Sequence, residues 1–200
     1  MKFFYLALIL IFNFQFLTNA EEVKNFEIEG MTVGESLLNY MKKSEIEDKI
    51  NSNASYHYPN GSYVVFGYYS DEMKIYDDVG VVIKLKDPNY TIYALEGTIY
   101  FQNGTCNEKQ KEISSDLKRV LDSSKYNYTE SFNQNFSYDN TGASKVSYLD
   151  FNFNDKSAIR VICWVLSEEF KSTSNNIDRL VVAANSVKFM KWINKNMIAE

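Results

Sequence analysis

The chain has one histidine, His57, in Tyr56-His57-Tyr58-Pro59, and any Ser-His-Asp or Cys-His mechanism would have to use it as its base. It stands just before a turn and among aromatic residues, a setting that suits surface packing better than proton transfer. With one His and two Cys, a tetrahedral zinc site would need carboxylates to complete it. Asp71, Glu72, Asp77 and Asp78 flank Met73 to Tyr76 as a small acidic cluster. Hard cations favour such oxygen ligands, but the spacing of a calcium loop is absent, and the cluster reads as a solvated turn. Gly30 to Gly34 lacks the Lys and the preceding apolar strand of a phosphate-binding loop. Cys106 at a helix N-terminus would be a lowered-pKa thiol if exposed, yet no partner base accompanies it. Glu168 and Glu169 read as the end of a strand, and no pair among the 26 acids stands out for general acid/base work. These residues assign no catalytic, cofactor-binding or metal-ligating group.

The elements that would position any site are easier to read. Thr32-Val33-Gly34-Glu35, Ser44-Glu45-Ile46-Glu47 and Thr105-Cys106-Asn107-Glu108 each match a capping box, in which hydroxyl and carboxylate satisfy unpaired backbone donors. The first predicts a helix carrying Val33, Leu37, Leu38 and Met41. The second predicts a short helix to about Asn51. The third predicts a helix with Ile113, Leu117, Val120 and Leu121 on one face. Strands are predicted at 62–69, 76–86 and 91–101, separated by turn signals such as Asp87-Pro88-Asn89. After the third helix, residues 126–138 place Tyr126, Tyr128, Phe132, Phe136 and Tyr138 on even positions, the pattern of a half-buried strand. A Tyr/Asn-rich loop is the competing reading. Further strands follow at 145–153, 158–167 and 179–184. Residues 158–167 are apolar on both faces, which predicts a central strand. A last helix, capped at Asn185 or Ser186, would carry Val187, Met190, Ile193 and Met197 as its stripe. The fold class is therefore α+β, an antiparallel sheet built from two helix-plus-three-strand halves, about 26–104 and 105–200, with helices packed on one face.

Residues 1–20 read as a signal peptide. Lys2 gives a positive start, Phe3 to Leu17 an apolar core, and Thr18-Asn19-Ala20 a small-residue cleavage site before Glu21. The apolar run is shorter than the roughly 20 residues of a spanning helix, and Glu21 rather than a lipid-accepting Cys follows the cut. Residues 21–200 then form a single periplasmic or secreted domain with no membrane span. Its 20 basic and 26 acidic side chains disfavour nucleic acid and anionic lipid as partners. In an oxidising compartment Cys106 and Cys163, 57 positions apart, either form a disulfide or sit as two separate buried thiols. Six Asn-x-Ser/Thr sequons occur, at Asn53, Asn60, Asn89, Asn103, Asn127 and Asn135. A chain heavy in Asn, Lys, Ile, Tyr and Phe matches AT-rich coding, which produces sequons by chance, and the expected source is bacterial.

The segment Phe26-Glu27-Ile28-Glu29-Gly30-Met31-Thr32-Val33-Gly34-Glu35-Ser36-Leu37-Leu38 resembles the opening of uncharacterised exported proteins of AT-rich marine bacteria. The ending Asn185-Ser186-Val187-Lys188-Phe189-Met190-Lys191-Trp192-Ile193 is similar to theirs as well. More remotely, a Gly-Met-Thr start followed by a three-stranded meander resembles the small periplasmic modules of outer-membrane-assembly lipoproteins, whose plan β-lactamase-inhibitor protein shares. This chain lacks their lipidated Cys and the Gly-x-Pro after the first helices, and no binding residue carries over. The expected function is a non-enzymatic periplasmic binding or envelope-interaction domain, its partner a protein or envelope component met through an exposed apolar patch. The alternative is a small secreted carboxylate-based hydrolase, which requires a concavity holding two acids.

Overall fold

The computed structural model describes residues 23–101, 106–174 and 176–197. The expected leader, Thr105 of the third capping box and the Asn103 sequon lie outside these residues. A short hairpin, β1 (Glu27–Ile28) and β2 (Met31–Thr32), opens the described chain. Eight strands then form one antiparallel sheet: β3 (Tyr56–His57), β4 (Tyr63–Tyr68), β5 (Asp78–Lys84), β6 (Ile92–Phe101), β7 (Tyr126–Asn135), β8 (Lys145–Phe153), β9 (Ala158–Val165) and β10 (Asp178–Asn185). Their order is β3-β4-β5-β6-β10-β9-β8-β7. Each half is thus a four-stranded meander whose last strand lies innermost, and β6 meets β10 at the seam with Leu95 opposite Ala184 and Thr98 opposite Val181. The arrangement is α+β, and each half holds four strands rather than three; the four of the second half correspond to the segments read at 126–138, 145–153, 158–167 and 179–184. The extra strand of the first half is the two-residue β3, too short to show a period.

Helices α1 (Lys43–Ile50) and α2 (Cys106–Val120) lie on one face of the sheet. There Ile46, Leu117 and Leu121 pack with Val64, Phe66, Val81, Leu95, Phe151, Val161 and Leu180. Cys106, the first residue of α2, is disulfide-bonded to Cys163 of β9, with a Cα separation of 5.8 Å that lies within the usual range. Both cysteines are buried. A third helix, α3 (Glu168–Ser174), follows β9. Glu168 and Glu169 therefore begin a helix rather than close a strand. Lys171 bridges Glu168 (3.0 Å) and the buried Asp178 (3.2 Å), tying α3 to the start of β10. The last helix, α4 (Val187–Asn196), is capped as expected: Ser186 Oγ accepts from the Phe189 amide at 3.2 Å. It packs on the opposite face from α1 and α2, against Tyr63, Val82, Tyr93 and Ala94.

Two further local expectations are corrected. The Thr32–Glu35 contact forms, with the Thr32 amide donating to Glu35 Oε2 at 3.2 Å, but it closes a turn instead of opening a helix. Gly34 has a φ of 99°, and Gly34 N–H and Glu35 C=O bond Ile92 at the head of β6. Tertiary pairing claims the backbone that a helix would have used, and only a 3-10 turn, Leu37–Asn39, remains. On β7 the even-numbered alternation holds at Tyr126 and Tyr128, which pack on the core. A bulge between Ser131 and Gln134, with Asn133 at φ 54°, then breaks the period. Phe132 and Tyr138 are exposed, while Phe136 leaves the strand and packs on Phe170 of α3 with ring centroids 5.5 Å apart. Among the described residues no helix is long and apolar enough to cross a membrane.

Candidate functional site on the outer face of the sheet

Alternation along the strands sends half of each strand's side chains away from α1 and α2, and α4 covers only the β3–β6 part of this outer face. Three cross-strand rows lie beside it. Gly67, Gly80, Glu96, Ala183, Arg160 and Asp150 stand in register across β4, β5, β6, β10, β9 and β8. The next row runs Asp78, Thr98, Val181, Ile162 and Tyr148, and a third runs Tyr100, Arg179, Trp164 and Val146. Where the rows cross the seam they enclose a concavity of about 450 Å³, lined from the first half by Asp78, Glu96, Thr98 and Tyr100. The second half supplies Ile162, Trp164, Arg179, Val181 and Ala183.

Small neighbours create the space. A Cβ on Gly80 would stand 3.3 Å from Glu96 Cβ and 3.4 Å from its Oε2, and one on Gly67 would stand 3.2 Å from Asp78 Oδ1. Neither glycine has a positive φ, so each serves by lacking a side chain rather than by freeing the backbone. The two carboxylates occupy the room that results.

The charges of this site are unevenly settled. Arg160 is closed off by a bidentate pair with Asp150, Nε to Oδ1 at 2.8 Å and Nη2 to Oδ2 at 3.1 Å. Arg179 instead lies over the Trp164 ring, 4.8 Å from its centroid, and donates from Nη1 to Asn176 Oδ1 at 3.1 Å. Among the described residues neither Asp78 nor Glu96 has a cation within 4.0 Å, and no carboxylate lies that close to Arg179. Burial pushes the Glu96 carboxyl above the usual range. The Asp78 charge adds to that rise and the Arg179 charge opposes it. Asp78 is raised too, by burial against the pull of the Val79 amide and Lys49. Burial lowers the Arg179 guanidinium, with Tyr100 and Glu96 opposing. The arrangement can take a cation at its acidic side and an anion at Arg179. The Tyr100 ring, 41% exposed, stands free for an apolar group.

The residues singled out in the sequence fall mostly elsewhere. His57 is exposed, its Nε2 3.0 Å from the Ile50 carbonyl. Of the acidic cluster, Asp71 and Glu72 lie in an exposed turn, and Asp77 Oδ2 accepts from the Tyr100 amide at 2.8 Å. Only Asp78 reaches the concavity. Among the described residues no group of three or more His, Cys, Asp or Glu side chains is placed to hold a metal ion. Cys106 is spent in the disulfide. Sequence reasoning passes over Glu96 and Arg179. The one available signal is a charged residue inside an otherwise apolar strand, Glu96 in Tyr93-Ala94-Leu95-Glu96-Gly97. The large exposed apolar side chains, among them Leu38, Tyr69, Ile75, Tyr138, Ile177 and Met197, are spread over separate loops and ends. At the seam the outer face presents charge and the exposed Tyr100 ring. Comparison with protein-family models, with curated proteins and with solved structures finds no match to this chain.

Proposed function

We propose that this chain is an exported, non-enzymatic binding domain and that the outer face at the seam of its two halves is the binding surface. The observation that carries the reading is the set of half-buried charges, Asp78, Glu96 and Arg179, held around one concavity with no ion pair to them among the described residues. Partly desolvated charges without a close partner oppose folding, and a ligand that completes them accounts for their presence. Export is supported by the apolar leader and by the Cys106–Cys163 disulfide, which persists in oxidising compartments. The partner is a protein or an envelope component. Affinity capture from the native envelope fraction tests this. Ala183→Trp, which fills the floor of the concavity, should abolish recovery of a partner that the wild type retains, with an unchanged far-UV circular dichroism spectrum. Equal recovery by both would refute the assignment of the surface.

A second reading has one specific observation in its favour: Asp78 and Glu96 share the concavity, as a carboxylate-based hydrolase requires. On that reading the raised Glu96 carboxyl is the proton donor and Asp78 the second acid. Turnover of chromogenic glycosides or esters should then fall by about 100-fold or more in Glu96→Gln, the scale of one acid/base group. Absence of turnover by the wild type across both substrate classes eliminates it.

A further inference from the structure

We infer that the concavity binds a small zwitterion, an ammonium and a carboxylate carried on one compact molecule with an apolar or aromatic body, as in an amino acid or a dipeptide. The inference rests on the assignment of the binding surface above and adds a small-molecule occupant of its concavity beside the protein or envelope component proposed there as the partner. Its basis is the separation of charge across the seam. Both acids, Asp78 and Glu96, come from the first half on β5 and β6, while Arg179 comes from the second half on β10. Where opposite charges stand directly across neighbouring strands of this face they close into a salt bridge, as Arg160 of β9 and Asp150 of β8 do at 2.8 Å. Here they do not stand so. Arg179 is drawn aside onto Trp164 and held by Asn176, and the Thr98 and Val181 side chains lie between the acidic and basic ends. The separation leaves acceptors at one end and a planar donor fork at the other.

Simpler ligands fit less well. An anion would meet Arg179 but also two carboxylates that repel it. A simple cation would suit Asp78 and Glu96 but would leave the guanidinium facing a positive neighbour. A molecule carrying both charges satisfies each end, and a like-sized neutral analogue would leave both unpaired. The aromatic surface completes the complementarity: Tyr100 borders the site and is exposed, whereas the Trp164 face is already covered by Arg179. The volume, about 450 Å³, falls in the range of small-molecule sites.

Isothermal titration calorimetry on the full chain tests this with L-phenylalanine, glycyl-L-phenylalanine, 2-phenylethylamine and 3-phenylpropanoate, which share one ring and differ in charge. The expected result is that L-phenylalanine or the dipeptide binds at least about tenfold more tightly than the amine or the acid, because each of those leaves one buried charge unanswered. Which of the two zwitterions is tighter separates a free amino acid from a peptide as the source. Arg179→Gln should bring the preferred zwitterion down to the level of the amine, and Glu96→Gln to the level of the acid. An amine or acid that binds as tightly as the zwitterions, or no binding by any probe at millimolar concentration, overturns the inference. If the probes fail while Ala183→Trp still abolishes partner capture, only the ligand class falls. If capture is also insensitive, the binding surface itself is misassigned.

Discussion

Glu96 sits between Gly80 and Ala183 with its carboxyl raised by burial, and the sign of that shift has a measurable consequence. The native state holds this proton more tightly than the unfolded chain does. The stabilisation from the proton is therefore complete below the ordinary value of 4.5 and is lost as pH rises through the elevated folded value. Glu96→Gln removes the titrating group at nearly constant shape. It should melt at a higher temperature than the wild type at pH 7, with the gap closing below pH 4.5. Calorimetric melting across that range decides, and a Gln variant less stable at neutral pH would mean that Glu96 has a stabilising partner. Asp139 runs the other way. Its carboxylate accepts from Ser144 Oγ (2.5 Å), from Thr141 Oγ1 (2.7 Å) and from the Thr141 and Ser144 amides (2.9 Å each), which holds its pKa well below the usual range. That contribution is present at neutral pH and disappears as pH falls through the depressed value. Asp139→Asn should accordingly lower stability at pH 7 and show less further loss on acidification. A variant as stable as the wild type at pH 7 would mean that these bonds contribute nothing net.

At the scale of the element, the seam strand β6 depends on a residue with no side chain. A Cβ on Gly97 would meet the Tyr76 ring at 2.6 Å from Cδ1 and Cε1, closer than atoms can approach. The backbone that carries the ring is held, since the Lys74, Ile75 and Tyr76 amides all donate to the Glu29 carboxylate, at 2.7 to 3.0 Å. Gly97→Ala should destabilise by about 1–3 kcal/mol, the usual range for overpacking, read as a lower urea midpoint. An unchanged midpoint would show that Tyr76 can swing clear. Strand positions are legible in the sequence because alternation is local, whereas the purpose of Gly97, Gly67 and Gly80 depends on which strand lies beside each. The last helix makes the same point. Its sequence suggests a stripe of Val187, Met190, Ile193 and Met197, yet Phe189 is the side chain it buries, with Trp192 and Ile193 beside it. That face is chosen by Tyr58 and Tyr63, whose rings stand 5.1 to 5.5 Å from Phe189 and Trp192.

The whole molecule is two meanders joined along β6 and β10, with the candidate site on the join. The disulfide lies on the opposite face from that site and closes a loop of 57 residues. On the chain-entropy account such a cross-link stabilises by about 4 kcal/mol. Cys106→Ser with Cys163→Ser should therefore lose stability on that order in denaturant titration. Its spectrum and the outer face should be preserved, because Cys163 points into the helix-covered core. A loss well below 1 kcal/mol would mean that the core around α2 and β9 holds without the bond. The 57-position spacing is visible in the sequence. The pairing is not, because it requires α2 to start directly over β9.

Read alone, the sequence determines an α+β chain, the course of β4 to β6 and β8 to β10, a cap at Asn185 or Ser186 and the place of α2. Each of these follows from a period or cap written within a few consecutive residues. Tertiary structure decides that Gly34 to Leu37 joins the head of β6 rather than a helix, that α4 crosses to the other face, and that β6 lies against β10. It also brings Asp78, Glu96 and Arg179, far apart in the chain, to one concavity. Strand register fixes which side chains become neighbours, and register between distant strands follows from packing of the entire core rather than from any local run of residues.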